Sequence, residues 1–161
     1  RRGAYVSDVS VKEMVDTLVV REDLEALAAS LTAKRITKEE LEGLEKKVTD
    51  YSEAIASGDM EQIIRADESF HHKIVALSGN KALIQLFSSV QELSLRFRYL
   101  YYEDFTRYEN MPVEHKEILE AIKTGDGDAA RIVSDNHVKK LKEFVVNEGE
   151  SAFRSRSNNS E

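Results

Sequence analysis

The chain has 161 residues, 41% hydrophobic and 33% charged, with a net charge of −7. That is enough for one domain with a real core, and too acidic for this segment itself to grip nucleic acid. No cysteine, one proline and seven glycines exclude a disulfide framework and a thiolate metal site and argue against a turn-rich β-sandwich. No apolar run approaches the ~18 residues of a membrane span, and no secretory pattern is read at the start. The expectation is a cytoplasmic protein with no membrane partner.

In chain order, residues 1–9 (RRGAYVSDV) read as a short strand after a turn, unlike everything that follows. Ser10 with Glu13 forms a capping box, which predicts a helix to about Ala33 with Met14, Leu18, Arg21, Leu24, Ala28 and Leu31 on one stripe. Arg21 is the anomaly of that stripe. It either snorkels to the rim along its methylenes or holds an anionic ligand with its planar fork. Thr37 with Glu40 opens a second helix, with Leu41, Leu44, Val48, Tyr51 and Ile55 inward and Gly58 as its stop. Asp59 caps a third, ending at Ser78-Gly79. A fourth runs from Asn80 through about Arg107 on a broad apolar face from Leu83 and Leu86 to Leu93 and Phe97. Gln91, Ser94 and Arg98 form a polar stripe beside it, able to reach a pocket. Pro112 starts a fifth helix, which ends at Gly125, and Asp126 or Asp128 starts the last, to about Val146. The polar stretch beyond, 148–161, reads as a disordered tail. The fold class is all-α, an antiparallel bundle of about six helices over residues 10–147.

Four residues break the apolar stripes. Asp67 and His71, one turn apart, share a face with Ile63, Phe70, Ile74 and Leu77. His115 aligns with Ile118, Leu119 and Ile122, and His137 with Val133, Leu141 and Phe144. His72 is turned about 100° from His71, toward the rim or solvent. Burying a polar group unpaired costs roughly 2–7 kcal/mol, and a lone charge far more. Each histidine alone reads as a core residue satisfied by a hydrogen bond. Three imidazoles and a carboxylate from three helices read instead as ligands of one divalent ion such as zinc, nickel, iron or manganese.

The segments carrying these residues resemble a known family. Residues 18–31, LVVREDLEALAASL, resemble the opening helix of the FCD effector domain of GntR-type (FadR-subfamily) transcriptional regulators. DESFHHKIVALSGN at 67–80 is similar to that family's D-x-x-x-H segment, and EHKEILEAIKTGDGDAA at 114–130 to its E-H segment; His137 falls at its last histidine. The resemblance covers about residues 11–146, and RRGAYV looks like the last strand of a winged-helix wing. It implies a divalent metal (zinc, nickel or manganese) on Asp67, His71, His115 and His137. It also implies a small carboxylate effector held by Arg21; Arg98, on the polar stripe of the fourth helix, is read from that stripe as a further effector residue. Its expected partners are operator DNA through an N-terminal winged-helix domain, absent here apart from its remnant at 1–9, and a second copy in a homodimer. The segment around 96–110 matches no pattern.

Two rivals stand beside the sensor. An open metal site activates water, so a metal-dependent helical-bundle hydrolase is the alternative, although no inward general base beyond the ligands stands out. A di-iron bundle would use Glu68-x-x-His71 but needs a second E-x-x-H, which the chain lacks. The other rival is a plain helical interaction module without metal.

Overall fold

The computed structural model describes residues 10–100 and 110–157. Six helices make up these residues: α1 Val11–Ala33, α2 Lys38–Ser57, α3 Met60–Leu77, α4 Lys81–Leu100, α5 Met111–Lys123 and α6 Gly127–Ser157. The expected caps are present. Ser10 and Thr37 each accept from the backbone N–H three residues on, and Glu13 and Glu40 reach back to close both capping boxes. The Asp59 side chain caps α3 through the Gln62 N–H, and that of Asn80 caps α4 through the Leu83 N–H. Gly58 ends α2 at φ +68°, a left-handed conformation that costs other L-residues energy.

The buried apolar residues form two clusters. One gathers Ala28, Ala29 and Ala33 of α1, Leu44 and Val48 of α2, Phe70, Ile74 and Val75 of α3, Leu83 and Phe87 of α4, Ile118, Leu119, Ala121 and Ile122 of α5, and Ala130 of α6. The other holds Met14, Leu18, Tyr51, Phe97, Met111, Val138, Leu141 and Val145. Odd-numbered helices run from the second cluster to the first and even-numbered helices run back, which is the alternation of an antiparallel bundle. α1 is the hub: it packs along α6 and also touches α3, α4 and α5. Its approach to α6 is close, since a Cβ on Gly127 would lie 2.8 Å from the Ser30 carbonyl oxygen.

Several sequence expectations need adjustment. The last helix does not stop near Val146 but continues to Ser157, so residues 148–157 are helical rather than a disordered tail. A lapse in apolar periodicity does not by itself end a helix, and this stretch holds no proline to break it. On α4 the inward line is Leu83, Phe87, Ser94, Phe97 and Arg98, whereas Leu86 is 60% exposed and Leu93 is exposed as well. The broad apolar face there is only partly covered. Ile55 is also exposed, and Ile64 rather than Ile63 is fully buried on α3. The expected strand at 1–9, the continuation of α4 from 101 to 107 and the end of the tail at 158–161 lie outside the described residues.

Phe87 sits wholly inside the first cluster and away from the charged layer described below. Phe87→Ala is expected to lower unfolding free energy by about 3–5 kcal/mol, read as the shift of the urea midpoint at constant slope.

Candidate metal centre

Between the two apolar clusters lies a layer of charged and polar side chains. α1 contributes Arg21 and Glu25, one turn apart; α3 contributes Asp67, Glu68 and His71; α4 contributes Ser94 and Arg98; α5 contributes the adjacent pair Glu114 and His115; α6 contributes His137. All are buried. The sequence expectation that Asp67, His71, His115 and His137 point inward together therefore holds in geometry. One ring nitrogen from each of His71, His115 and His137 lies within 4.8 Å of the others. His72 is exposed, as its rotation about α3 requires.

Hydrogen bonds fix two of the three imidazoles. His71 Nδ1 lies 2.8 Å from Glu25 Oε2, and His137 Nδ1 lies 2.7 Å from Glu114 Oε2. An ionised carboxylate only accepts, so in each ring Nδ1 carries the proton and donates it, which turns Nε2 toward the other side of the ring. The two carboxylates are themselves held. Glu25 accepts from Arg21 Nε, while Arg21 Nη1 donates to Ser94 Oγ at 2.8 Å. Glu114 Oε1 is 3.3 Å from Lys140 Nζ. Arg21 is 1% exposed, so it does not snorkel: its charge is countered inside the layer.

His115 differs. Its ring is packed 4.6 Å from both Tyr51 and Phe70, centroid to centroid, and it has no exposure at all. Among the described residues neither of its nitrogens has a hydrogen-bond partner, and neither does Asp67 Oδ1. His115 Nε2 stands 3.4 Å from Asp67 Oδ1 without hydrogen-bond alignment. Asp67 Oδ2 accepts from Arg98, which also reaches Glu68 Oε1 at 3.1 Å, and Glu68 in turn accepts from Gln91. Orphaned buried polar atoms are rare and ask for an explanation. Here they face one another, beside two imidazoles already oriented by their carboxylates.

The electrostatics follow from this wiring. Burial alone would push the Asp67 carboxyl up, but Arg98, His71 and His115 outweigh it and hold it well below the usual carboxylate range. Glu25 behaves alike: burial opposes its charge, and Arg21 with His71 prevail, again lowering its pKa. Burial pushes the His115 imidazole well down, and pushes His137 down despite the opposing bond to Glu114. An ionised carboxylate beside imidazoles, of which burial biases His115 and His137 toward the neutral form, is a donor set that suits a first-row divalent ion.

Sequence reasoning missed Glu25 and Glu114. Glu25 was detectable as a carboxylate one turn beyond Arg21 on the same buried stripe, and Glu114 only through its adjacency to His115. Glu68, the residue a di-iron site would need, faces Arg98 and Gln91 instead. Arg98 reaches the layer as expected, where it engages the Asp67 and Glu68 carboxylates and also contacts Met111 Sδ.

Comparison with known proteins agrees with this architecture. A family model described as FCD domain matches residues 16–140. The chain is 31% identical over 153 residues to the uncharacterized HTH-type transcriptional regulator YdhC of Bacillus subtilis, covering 92% of this chain and 68% of that protein. It is 22% identical over 145 residues to the HTH-type transcriptional repressor RspR of Escherichia coli, covering 90% of this chain and 64% of that one. Among solved structures, Streptococcus agalactiae GntR superposes with a TM-score of 0.71 at 25% identity, over 87% of this chain and 63% of its own. E. coli McbR/YncC gives 0.74 at 21% identity, over 88% and 71%, a likeness of fold. The chain thus spans about two thirds of the length of its relatives. It belongs to the FCD family, the helical domain of GntR-type transcriptional regulators.

Proposed function

We propose that this chain is the ligand-sensing domain of a regulator in which a winged-helix domain outside this chain contacts operator DNA and two copies pair as a homodimer. In this reading Asp67, His71, His115 and His137 hold a divalent metal (zinc, nickel or manganese), and a small carboxylate binds beside it, with Arg21 and Arg98 as its cationic wall. The observation that carries the reading is the set of unpartnered buried atoms, Asp67 Oδ1 and both His115 nitrogens, set against two histidines whose Nδ1 protons are already placed. A bound dication supplies the missing partner for these atoms and a Lewis-acid anchor for the carboxylate.

The arrangement argues for sensing over hydrolysis. Among the described residues, the buried carboxylates outside the proposed ligand set are Glu25, Glu68 and Glu114, and each is tied to a cation or an imidazole. None is placed to take a proton from a metal-bound water. Signalling then requires only that the ligand favour one packing of the helices over another.

Removing metal with a chelator is expected to lower the melting temperature by roughly 10 °C, since a ligand at about 1,000 times its dissociation constant contributes about 4 kcal/mol. Adding zinc, nickel or manganese restores it, and a small carboxylate raises it further. His115→Ala abolishes the response to chelation. An unchanged melt after chelation, with no metal by elemental analysis, contradicts the proposal.

Glu114→Gln tests the support of His137. Metal affinity, measured by competition with a chromophoric chelator, is expected to fall about 10- to 100-fold.

The acid response of the chelated chain follows from the histidines. Burial holds His115 and His137 below their unfolded value near 6.5, so as pH falls through that value the unfolded chain binds protons first. The stabilisation is present above about pH 6.5 and is lost on the way down. Asp67 and Glu25, whose pKa values are lowered, add to the loss below about pH 4. The melting temperature is expected to drop steadily from pH 7 to 5, and a flat profile speaks against neutral buried imidazoles.

A further inference from the structure

An arginine on a buried stripe suits an anionic ligand, and Arg21 already holds an anion that belongs to the chain. Its Nε donates to Glu25 Oε1, and its Nη1 donates to Ser94 Oγ at 2.8 Å. The other oxygen of the same carboxylate, Glu25 Oε2, lies 2.8 Å from His71 Nδ1. One glutamate therefore bridges a guanidinium and an imidazole. The run Ser94, Arg21, Glu25, His71 crosses from α4 through α1 to α3, and no member is more than 3% exposed.

The direction of the His71 ring depends on that bridge. A glutamate side chain has several staggered rotamers, and its own backbone does not choose among those that helices allow. Arg21 chooses. It stands one turn away on α1, within side-chain reach. A guanidinium is a planar fork, so two donors held at once fix its plane as well as its place. With Nη1 on Ser94 and Nε on Oε1, the Glu25 carboxylate is set, and its Oε2 takes the proton side of His71. The ring then turns its opposite edge inward, with Nε2 at 3.8 Å from Asp67 Oδ2. Partners of this kind, one residue removed from a metal, orient the ligand that the metal uses.

We infer that Arg21 is a positioning residue of the metal centre, acting through Glu25 on His71, with Ser94 fixing the plane of its guanidinium. This rests on the metal reading above and adds to it a duty of Arg21 that involves no effector. Metal alone separates the two duties. An arginine that only holds a carboxylate ligand has no influence on metal binding when no organic acid is present.

The test uses whichever of zinc, nickel and manganese the wild type binds most tightly. Its affinity is measured by competition with a chromophoric chelator, in buffer without carboxylic acids other than that chelator. Wild type, Arg21→Met, Glu25→Gln and the double variant are compared. Arg21→Met is expected to weaken metal binding about tenfold or more. On the Glu25→Gln background the same change is expected to cost nothing further, because two residues that act through one contact are not additive. Losses that multiply in the double variant overturn the proposal. So does an unchanged affinity in Arg21→Met, even if the chelated variant melts lower, since that is what a purely structural arginine gives. A gain in affinity, the result if the guanidinium only repelled the dication, overturns it as well. All three leave the metal site standing, whereas a wild type that binds none of the three ions removes the metal reading and this proposal together. Should Arg21→Met fail to fold, Arg21→Lys takes its place: it keeps a cation for Glu25 but lacks the fork that reaches Glu25 and Ser94 together. A several-fold loss that vanishes on the Glu25→Gln background is expected there, and no loss, or the same loss on both backgrounds, overturns the proposal.

Discussion

Charge buried between two apolar clusters is the constraint around which this bundle is arranged. Every helix except α2 places a charged side chain or an imidazole in the layer, and these groups are buried away from bulk water. A buried ion is tolerated only when it is paired and its remaining hydrogen-bonding positions are satisfied. That requirement fixes the rotation of each helix about its own axis. α1 must present Arg21 and Glu25 to the same level at which α3 presents Asp67 and His71 and α5 presents Glu114 and His115. The apolar residues above and below supply the driving force for burial, but they would accept other registers. The ion pairs would not.

The layer is built from partners of partners. Arg21 holds Glu25, which holds His71; Lys140 holds Glu114, which holds His137; Gln91 and Arg98 share Glu68, and Arg98 holds Asp67. His115 is the exception, placed by the rings of Tyr51 and Phe70 instead of by a hydrogen bond. Two histidines thus have a tautomer set by a carboxylate, and the third has its position set by packing. Such outer partners orient the inner donors and raise their basicity. They also make each inner residue sensitive to changes one shell away.

The sequence revealed the inward residues more readily than their partners. Asp67, His71, His115 and His137 stand out because each interrupts an apolar stripe, and a stripe is a local pattern that helical spacing exposes. The caps at Ser10, Thr37 and Asp59 were legible for the same reason. Glu25 and Glu114 sit in a chain that is one third charged, and a glutamate on a helix is unremarkable until a second helix is docked against it. Which carboxylate meets which histidine is decided by contacts across α1–α3 and α5–α6, and no spacing within one helix encodes them. The end of α6 is missed for a different reason: apolar periodicity lapses after Val146, yet no proline stands there to stop the helix. Leu86 and Leu93 mislead in the opposite sense, since they complete an apolar pattern on α4 without being covered.

The position of Arg21 along α1 has a mechanical consequence. α1 is 23 residues long, about 34 Å at the usual rise per residue, and Arg21 and Glu25 lie close to its midpoint. The helix is therefore a rod pinned at its centre by charge and flanked on both sides by apolar contacts that slide more readily than ion pairs break. A tilt of about 5° about that pin moves the two ends by about 1.5 Å in opposite directions. A change in how Arg21 and Glu25 share their charge would then be read out as displacement at Val11 and at Ala33, each far from the layer, with the pin itself almost stationary.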